Sequence, residues 1–278
     1  MRMSDAMKRP VRGMLALCLM VAALAGLSGC ASGGAGSTTS VGPGNDIITD
    51  SDEPPARKRA RTRLQLAGGY FEQGQTTVAL DEVKQALTID PSFPDAYNLR
   101  GLIYMRLNDM RLAEESFRRA LNLNPGDANV MHNLAWMQCQ QGRYTEATKS
   151  FNTALANPTY GGRAKTWLTK GLCEIKAGQA AEAEHSLIKS YELDAGNPIT
   201  GYNLASVLFQ RGDAARAQFY IRRINNSELA NAETLWLGIK IEHRLGNRPA
   251  RDQLASQLRN RYPKSHELGS FERGAFNE

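Results

Sequence analysis

The sequence predicts an all-α fold, a superhelical array of six helical hairpins. Three observations carry this reading. A small residue recurs at Ala67, Gly101, Ala135, Gly171, Ala205 and Gly238, with spacings of 34, 34, 36, 34 and 33. The glycines Gly74, Gly142, Gly178 and Gly212 keep the same phase, and Asn108 takes that place in the second unit. Each unit holds two apolar-periodic segments around that turn, and Pro125 closes its unit because proline cannot continue a helix. Chance does not hold a period in phase over about 170 residues.

From the N-terminus, residues 1–29 read as an export signal. Arg2, Lys8, Arg9 and Arg12 precede the apolar run "GMLALCLMVAALAG" at 13–26. Fourteen helical residues span about 21 Å, short of the roughly 30 Å hydrocarbon core. The alternative is an uncleaved helical anchor. "LSGC" at 27–30 resembles the lipobox of bacterial lipoproteins. That resemblance implies a diacylglyceryl group on the Cys30 thiol, cleavage before Cys30 and acylation of its new amino group. Several acyl chains give stable membrane attachment where one is marginal. Ala31, where an aspartate would retain an enteric lipoprotein in the inner membrane, favours the periplasmic face of the outer membrane by the same resemblance.

Residues 30–59 then form a Gly/Ser-rich tether, expected to be disordered because it has little to bury. Its 26 residues from 31 to 56 have an r.m.s. reach of roughly 28 Å. "RKRARTR" at 57–63 has two readings, an electrostatic contact with anionic lipid or peptidoglycan and a solvated end of the tether, of which the second is the plainer.

The units span residues 60–93, 94–127, 128–163, 164–197, 198–230 and 231–263, and residues 264–278 read as a frayed tail. The helix–turn–helix–proline pattern is that of the tetratricopeptide repeat. Small residues sit where helices approach (Gly101 with Ala113 and Ala120, Ala135 with Ala147 and Ala154). Large ones fill the gaps (Tyr104 and Phe117, Trp136 and Phe151). One hairpin cannot bury its apolar side, whereas stacked hairpins share a continuous core.

Composition and motifs exclude several functions. The net charge of +6 includes four cations and one anion ahead of the apolar run, leaving an excess of about +3, too little and too scattered for a nucleic-acid binder. There is no HExxH, no phosphate loop and no GxSxG elbow, and His132, His185, His243 and His266 are scattered. Glu114 and Glu115 read as an exposed charged face. No enzyme, cofactor or metal is predicted. Cys139 and Cys173 have no metal-ligand spacing. They occupy the twelfth and tenth positions of their units, one directed to the concave side and one to the helix core. No disulfide is therefore expected, and both read as small apolar fillers.

First helices line the concave groove of such stacks. Their inward positions give Leu64 and Phe71, then Asn98, Leu102 and Met105, then Asn129, His132 and Trp136. The later units add Leu168, Leu172 and Ile175, then Tyr202 and Phe209. Arg106, Lys165 and Lys176 stand at the rim. This groove is rather apolar and suits one apolar face of a partner helix. The plainer alternative is that several of these residues only pack between neighbouring first helices.

Three further stretches carry a family resemblance. "ARTRLQLAGGYFEQG" resembles an opening helix, "NPTYGGRAKTWLTKGL" a lengthened link, and "LWLGIKIEHRLGNRPARDQLASQLRNRYPKSHEL" a closing unit. With the lipobox and six units they resemble the PilW/PilF family, the pilotin-like lipoproteins of type IV pilus biogenesis. The resemblance covers residues 13–268. It implies an outer-membrane lipoprotein, expected as a monomer, that binds secretin (PilQ-like) subunits and promotes their targeting and multimerisation. The alternative is a general periplasmic adaptor for peptidoglycan enzymes or outer-membrane assembly factors. One departure is Gly68-Gly69, which weakens the first helix by about 1 kcal/mol per glycine. If secretin binds there, that helix is expected to order on binding.

Overall fold

The computed structural model describes residues 52–276. The export signal, Cys30 and the tether up to residue 51 lie outside the described residues. Within them are thirteen helices and no strand. Six hairpins follow one another: α1 (Pro55–Glu72) with α2 (Thr76–Ile89), α3 (Pro94–Arg106) with α4 (Met110–Leu123), and α5 (Ala128–Gln140) with α6 (Tyr144–Leu155). Then come α7 (Arg163–Lys176) with α8 (Ala180–Leu193), α9 (Pro198–Gln210) with α10 (Ala214–Asn225), and α11 (Ala232–Arg244) with α12 (Arg248–Arg261). A short α13 (His266–Glu272) closes the chain.

Local chemistry sets these boundaries. Pro94 and Pro198 open their helices in the first turn, where a missing N–H costs nothing. Asp109, Asp127, Asn197, Asp213 and Asn247 cap the helices that follow them with side-chain oxygens. Asn231 and Thr234 form a reciprocal capping box at α11. Asn108 sits at φ 60, the left-handed conformation that glycine takes at the other five turns. Where the two helices of a hairpin meet, a Cβ on Gly101 would lie 2.5 Å from the Phe117 ring. A larger residue there would push α3 off α4.

Each first helix touches the first helix of the next hairpin, from α1–α3 through α9–α11. The backbones of successive second helices approach less closely, and α8 and α10 meet through side chains, Arg216 with Glu184 at 2.7 Å and Tyr220 with Tyr191. The stack is therefore tighter on the first-helix side, which is its concave side. Ala113, Phe117, Ala120, Val130 and Met137 form one joint of the core, all fully buried. Leu187, Leu204, Leu208 and Ile221 fill another.

Several expectations are corrected. The first helix begins at Pro55, inside the stretch read as tether, and runs unbroken through Gly68 and Gly69. The reason is Arg57. It pairs with Asp90, donates to Ser92 O (3.0 Å) and Ser92 Oγ (3.2 Å), and stacks 4.5 Å over the Phe93 ring. This guanidinium holds the Asp90 carboxyl below the usual carboxylate range. Arg61 pairs with Glu53, and Arg63 with Glu82 at 2.9 Å. Only Lys58 and Arg59 of the basic cluster stand fully in solvent without such a partner among the described residues. The cluster is thus a helix that docks on its neighbours, not a loose end.

The tail is also ordered. Ser265 caps α13, Leu268 is buried, and Phe271 and Phe276 pack 6.5 and 5.7 Å from the Trp236 ring. It covers the open apolar end of the last hairpin. Glu114 is no free surface charge either, since Arg143 of the next hairpin binds it at 2.7 Å and holds its carboxyl low.

Cys139 and Cys173 form a disulfide between α5 and α7, with Cα atoms 5.9 Å apart and both residues buried. The expectation failed for a geometric reason. Two residues that face each other across a joint come from opposite flanks of neighbouring helices, so they must occupy different repeat positions. A bridge over 34 residues contributes about 2–4 kcal/mol, chiefly by restricting the unfolded chain. Reduction, or the pair Cys139→Ser and Cys173→Ser, is expected to lower the unfolding free energy by that amount, read as a lower urea midpoint. Equal midpoints for oxidised and reduced protein would show that the bridge carries no stability.

Candidate partner-binding face

The concave face is built from α1, α3, α5, α7, α9 and α11. Position five turns toward the next unit in the second and third units. Asn98 accepts a bond from Asn133 Nδ2 (2.9 Å), and His132 Nδ1 lies 2.8 Å from Thr166 Oγ1. Thr166 donates onward to the Tyr160 hydroxyl (3.1 Å), which makes the His132 Nδ1–H the donor. His132 (5% exposed) and Leu168 (8%) are core residues and leave the list of groove residues. Leu64 and Tyr202, at the same position, are half-buried against the core. Asn129 is exposed.

Phe71, Leu102, Met105, Trp136, Leu172, Ile175 and Phe209 are half-buried, each with one side on the core. A cation from the following unit covers three of them. Arg106 lies 3.5 Å over the Phe71 ring and donates to the Phe71 carbonyl. Lys176 lies 5.0 Å over Trp136 and donates to Gln140 Oε1 (2.8 Å). Arg244 lies 5.6 Å over Phe209. Aromatic residues in the first, third and fifth units thus meet cations from the second, fourth and sixth. Sequence reading placed Arg106 and Lys176 at the rim and missed Arg244, and it paired none of them with a ring. The signal was available, an aromatic late in one first helix and a cation late in the next.

Such a surface offers apolar area next to positive charge, each cation held in place by the ring beneath it. It suits a partner segment whose apolar side chains are flanked by acidic or carbonyl acceptors. Among the described residues no group of three His, Cys, Asp or Glu side chains is placed to hold a metal ion.

The repeat model described as "TPR repeat" matches residues 69–108, and that described as "Tetratricopeptide repeat" matches residues 93–159. The crystal structure of PilW, a widely conserved type IV pilus biogenesis factor, is 32% identical and superposes with a TM-score of 0.69. It covers 77% of this chain and 98% of PilW. The chain belongs to the PilW/PilF family of tetratricopeptide-repeat type IV pilus biogenesis proteins. The type IV pilus assembly protein PilF of Pseudomonas aeruginosa is 28% identical over 247 residues, 89% of this chain and 94% of PilF. A solved structure of P. aeruginosa PilF gives a TM-score of 0.69 over 78% of this chain and 99% of that one.

The buried His132 makes the joint behind this face pH-sensitive. Burial, reinforced by the Lys165 charge, pushes its imidazole down from 6.5 to about 4. The folded chain holds the neutral ring, while the unfolded chain takes up the proton more readily. Stability is therefore full above pH 6.5 and falls as pH drops toward 4, by up to about 3 kcal/mol. Urea midpoints measured across that window are expected to fall less steeply for His132→Gln than for the wild type.

Proposed function

We propose that this protein is a lipid-anchored scaffold of type IV pilus biogenesis that binds secretin subunits and promotes their outer-membrane targeting and multimerisation. Its place in the PilW/PilF family supports the pilus assignment, and tetratricopeptide stacks serve as protein-interaction scaffolds. The observation that carries the reading is the concave row of half-buried aromatic and aliphatic side chains, apolar surface that the core and the capping cations cover only in part. Cys30, within its lipobox, supplies the anchor. One end of the polypeptide then prefers the lipid of the outer membrane and the other prefers the secretin. Partition of the lipid becomes partition of the cargo, and a local rise in secretin concentration favours ring assembly.

Trp136 and Met105 stand on this row in adjacent units. Trp136→Ala removes an aromatic anchor, and such anchors contribute about 2 kcal/mol or more. Met105→Glu places a charge in the apolar strip. Both variants are expected to lose capture of secretin monomers from envelope membranes while keeping a wild-type circular dichroism spectrum. A photoreactive residue at position 136 should crosslink to secretin in cells, and crosslinks to cell-wall hydrolases would favour the general adaptor. Normal secretin multimers in a deletion strain, or wild-type capture by both variants, would overturn the proposal.

A further inference from the structure

The second and fourth units carry the same constellation at the same repeat positions, away from the concave row. In the fourth unit Lys170 lies 4.9 Å over the Trp167 ring, and Lys189 follows on α8. In the second, Arg100 and Arg119 lie 4.8 and 5.8 Å from the Tyr97 ring centroid. The two units differ in what neutralises the cations. Glu174 binds Lys170 at 3.4 Å, and Glu192 binds Lys189 at 2.8 Å. The matching positions in the second unit are Tyr104 and Asn122, neither of which carries a charge.

The second unit therefore keeps its cations open. Arg100 Nε donates to Ser116 Oγ (3.0 Å), and Arg119 makes no ion pair among the described residues. Arg118 on the same wall pairs with Glu114, which Arg143 also binds. The wall's own carboxylate, Glu115, turns to Arg111 at 3.6 Å, both well exposed. Tyr97, Arg100, Glu115, Arg118, Arg119 and Asn122 line an open cavity of about 420 Å³.

A guanidinium beside an aromatic ring keeps its N–H edge available for a forked bond to an oxyanion. Here two such guanidinium groups line one cavity together with Arg118 and the Asn122 amide. A carboxylate offers two coplanar oxygens and engages one fork. A tetrahedral phosphate offers three or four oxygens in different directions and engages both. We propose that this cavity of the second unit binds a phosphate group, from a lipid headgroup or a soluble phosphate. The site is independent of the concave face and of the secretin proposal.

The test uses the full chain in nonionic detergent, observed through the arginine Nε–H signals in NMR. Inorganic phosphate, short-chain phosphatidylglycerol and acetate are titrated separately at matched ionic strength. Saturable shifts of Arg100 and Arg119 with phosphate but not acetate are expected. Tighter binding of phosphatidylglycerol assigns the site to headgroups, and equal or weaker binding assigns it to soluble phosphate. Asn122→Glu installs the carboxylate that neutralises the fourth unit and should weaken binding about tenfold or more, the scale of a lost charged hydrogen bond. Arg119→Gln gives the same reading should α4 be disturbed by the first change. Shifts that never saturate, saturation by acetate to the same degree, or wild-type affinity in both variants would overturn the proposal.

Discussion

The joint between first helices of successive hairpins is the contact on which the rest of the molecule depends. A hairpin of about thirty residues has two broad apolar sides and one internal seam, so it cannot bury enough surface alone. Stacking on a neighbour supplies the missing cover. Because the backbones of first helices approach one another more closely along the stack than those of second helices, the same contact that stabilises the chain also bends it. The concave row exists because of that bend. Phe71, Trp136 and Phe209 are half-buried, packed on the core and each overlain by a cation of the next unit. Stability and the concave row share the same side chains, so a segment docking there would meet a surface held in place by the core.

The architecture was legible because it rests on features that repeat. Gly101 and Ala135 mark close approach, Asn108 and the turn glycines mark chain reversal, and Pro94 and Pro198 mark helix starts, all within a short span of sequence. What escaped notice rests on single long-range contacts. Pro55 starts a helix because Arg57, two residues on, finds Asp90 at the end of α2, the other helix of its hairpin. α13 has no run long enough to show a period, and its order comes from Trp236, which needs a cover only because the array ends there. A terminal unit has an exposed joint, and the sequence beyond it cannot show the period of a further unit.

The concave row was legible by position and misread by neighbour. Leu102, Met105, Trp136, Leu172 and Phe209 come directly from repeat phase. His132 and Leu168 share a phase with Leu64 and Tyr202, yet only the former pair is fully buried. Phase states which flank of a helix a residue occupies. How deeply that flank is covered depends on the residues of the next unit, and Thr166 with Tyr160 closes over His132 from the lengthened link. The capping cations and the Cys139–Cys173 bridge escaped for the same reason, since each is a relation between different positions in adjacent units.

Similar hairpins raise a problem of order. If every joint were purely apolar, the second hairpin could stack on the fourth nearly as well as on the third, and the array would have many close competitors. Each joint here has its own polar key. At the first, Arg106 of the second hairpin donates to the Phe71 carbonyl of the first hairpin, and Arg143 meets Glu114 at the second. The third has the disulfide and the His132–Thr166 bond. Ser190 bonds Thr200 (3.1 Å) at the fourth, and Gln218 and Arg222 bind the buried Glu242 (2.8 Å each) at the fifth. A hairpin shifted by one unit would bury Glu242 without Arg222, and stranding one member of a buried ion pair costs about 3–5 kcal/mol. Such a penalty is comparable to much of the net stability of a small domain. The apolar surfaces therefore give the array its cohesion, and the five unlike polar contacts give it one order. A fixed order is what sets Phe71 under Arg106 and Trp136 under Lys176 rather than some other pairing along the groove.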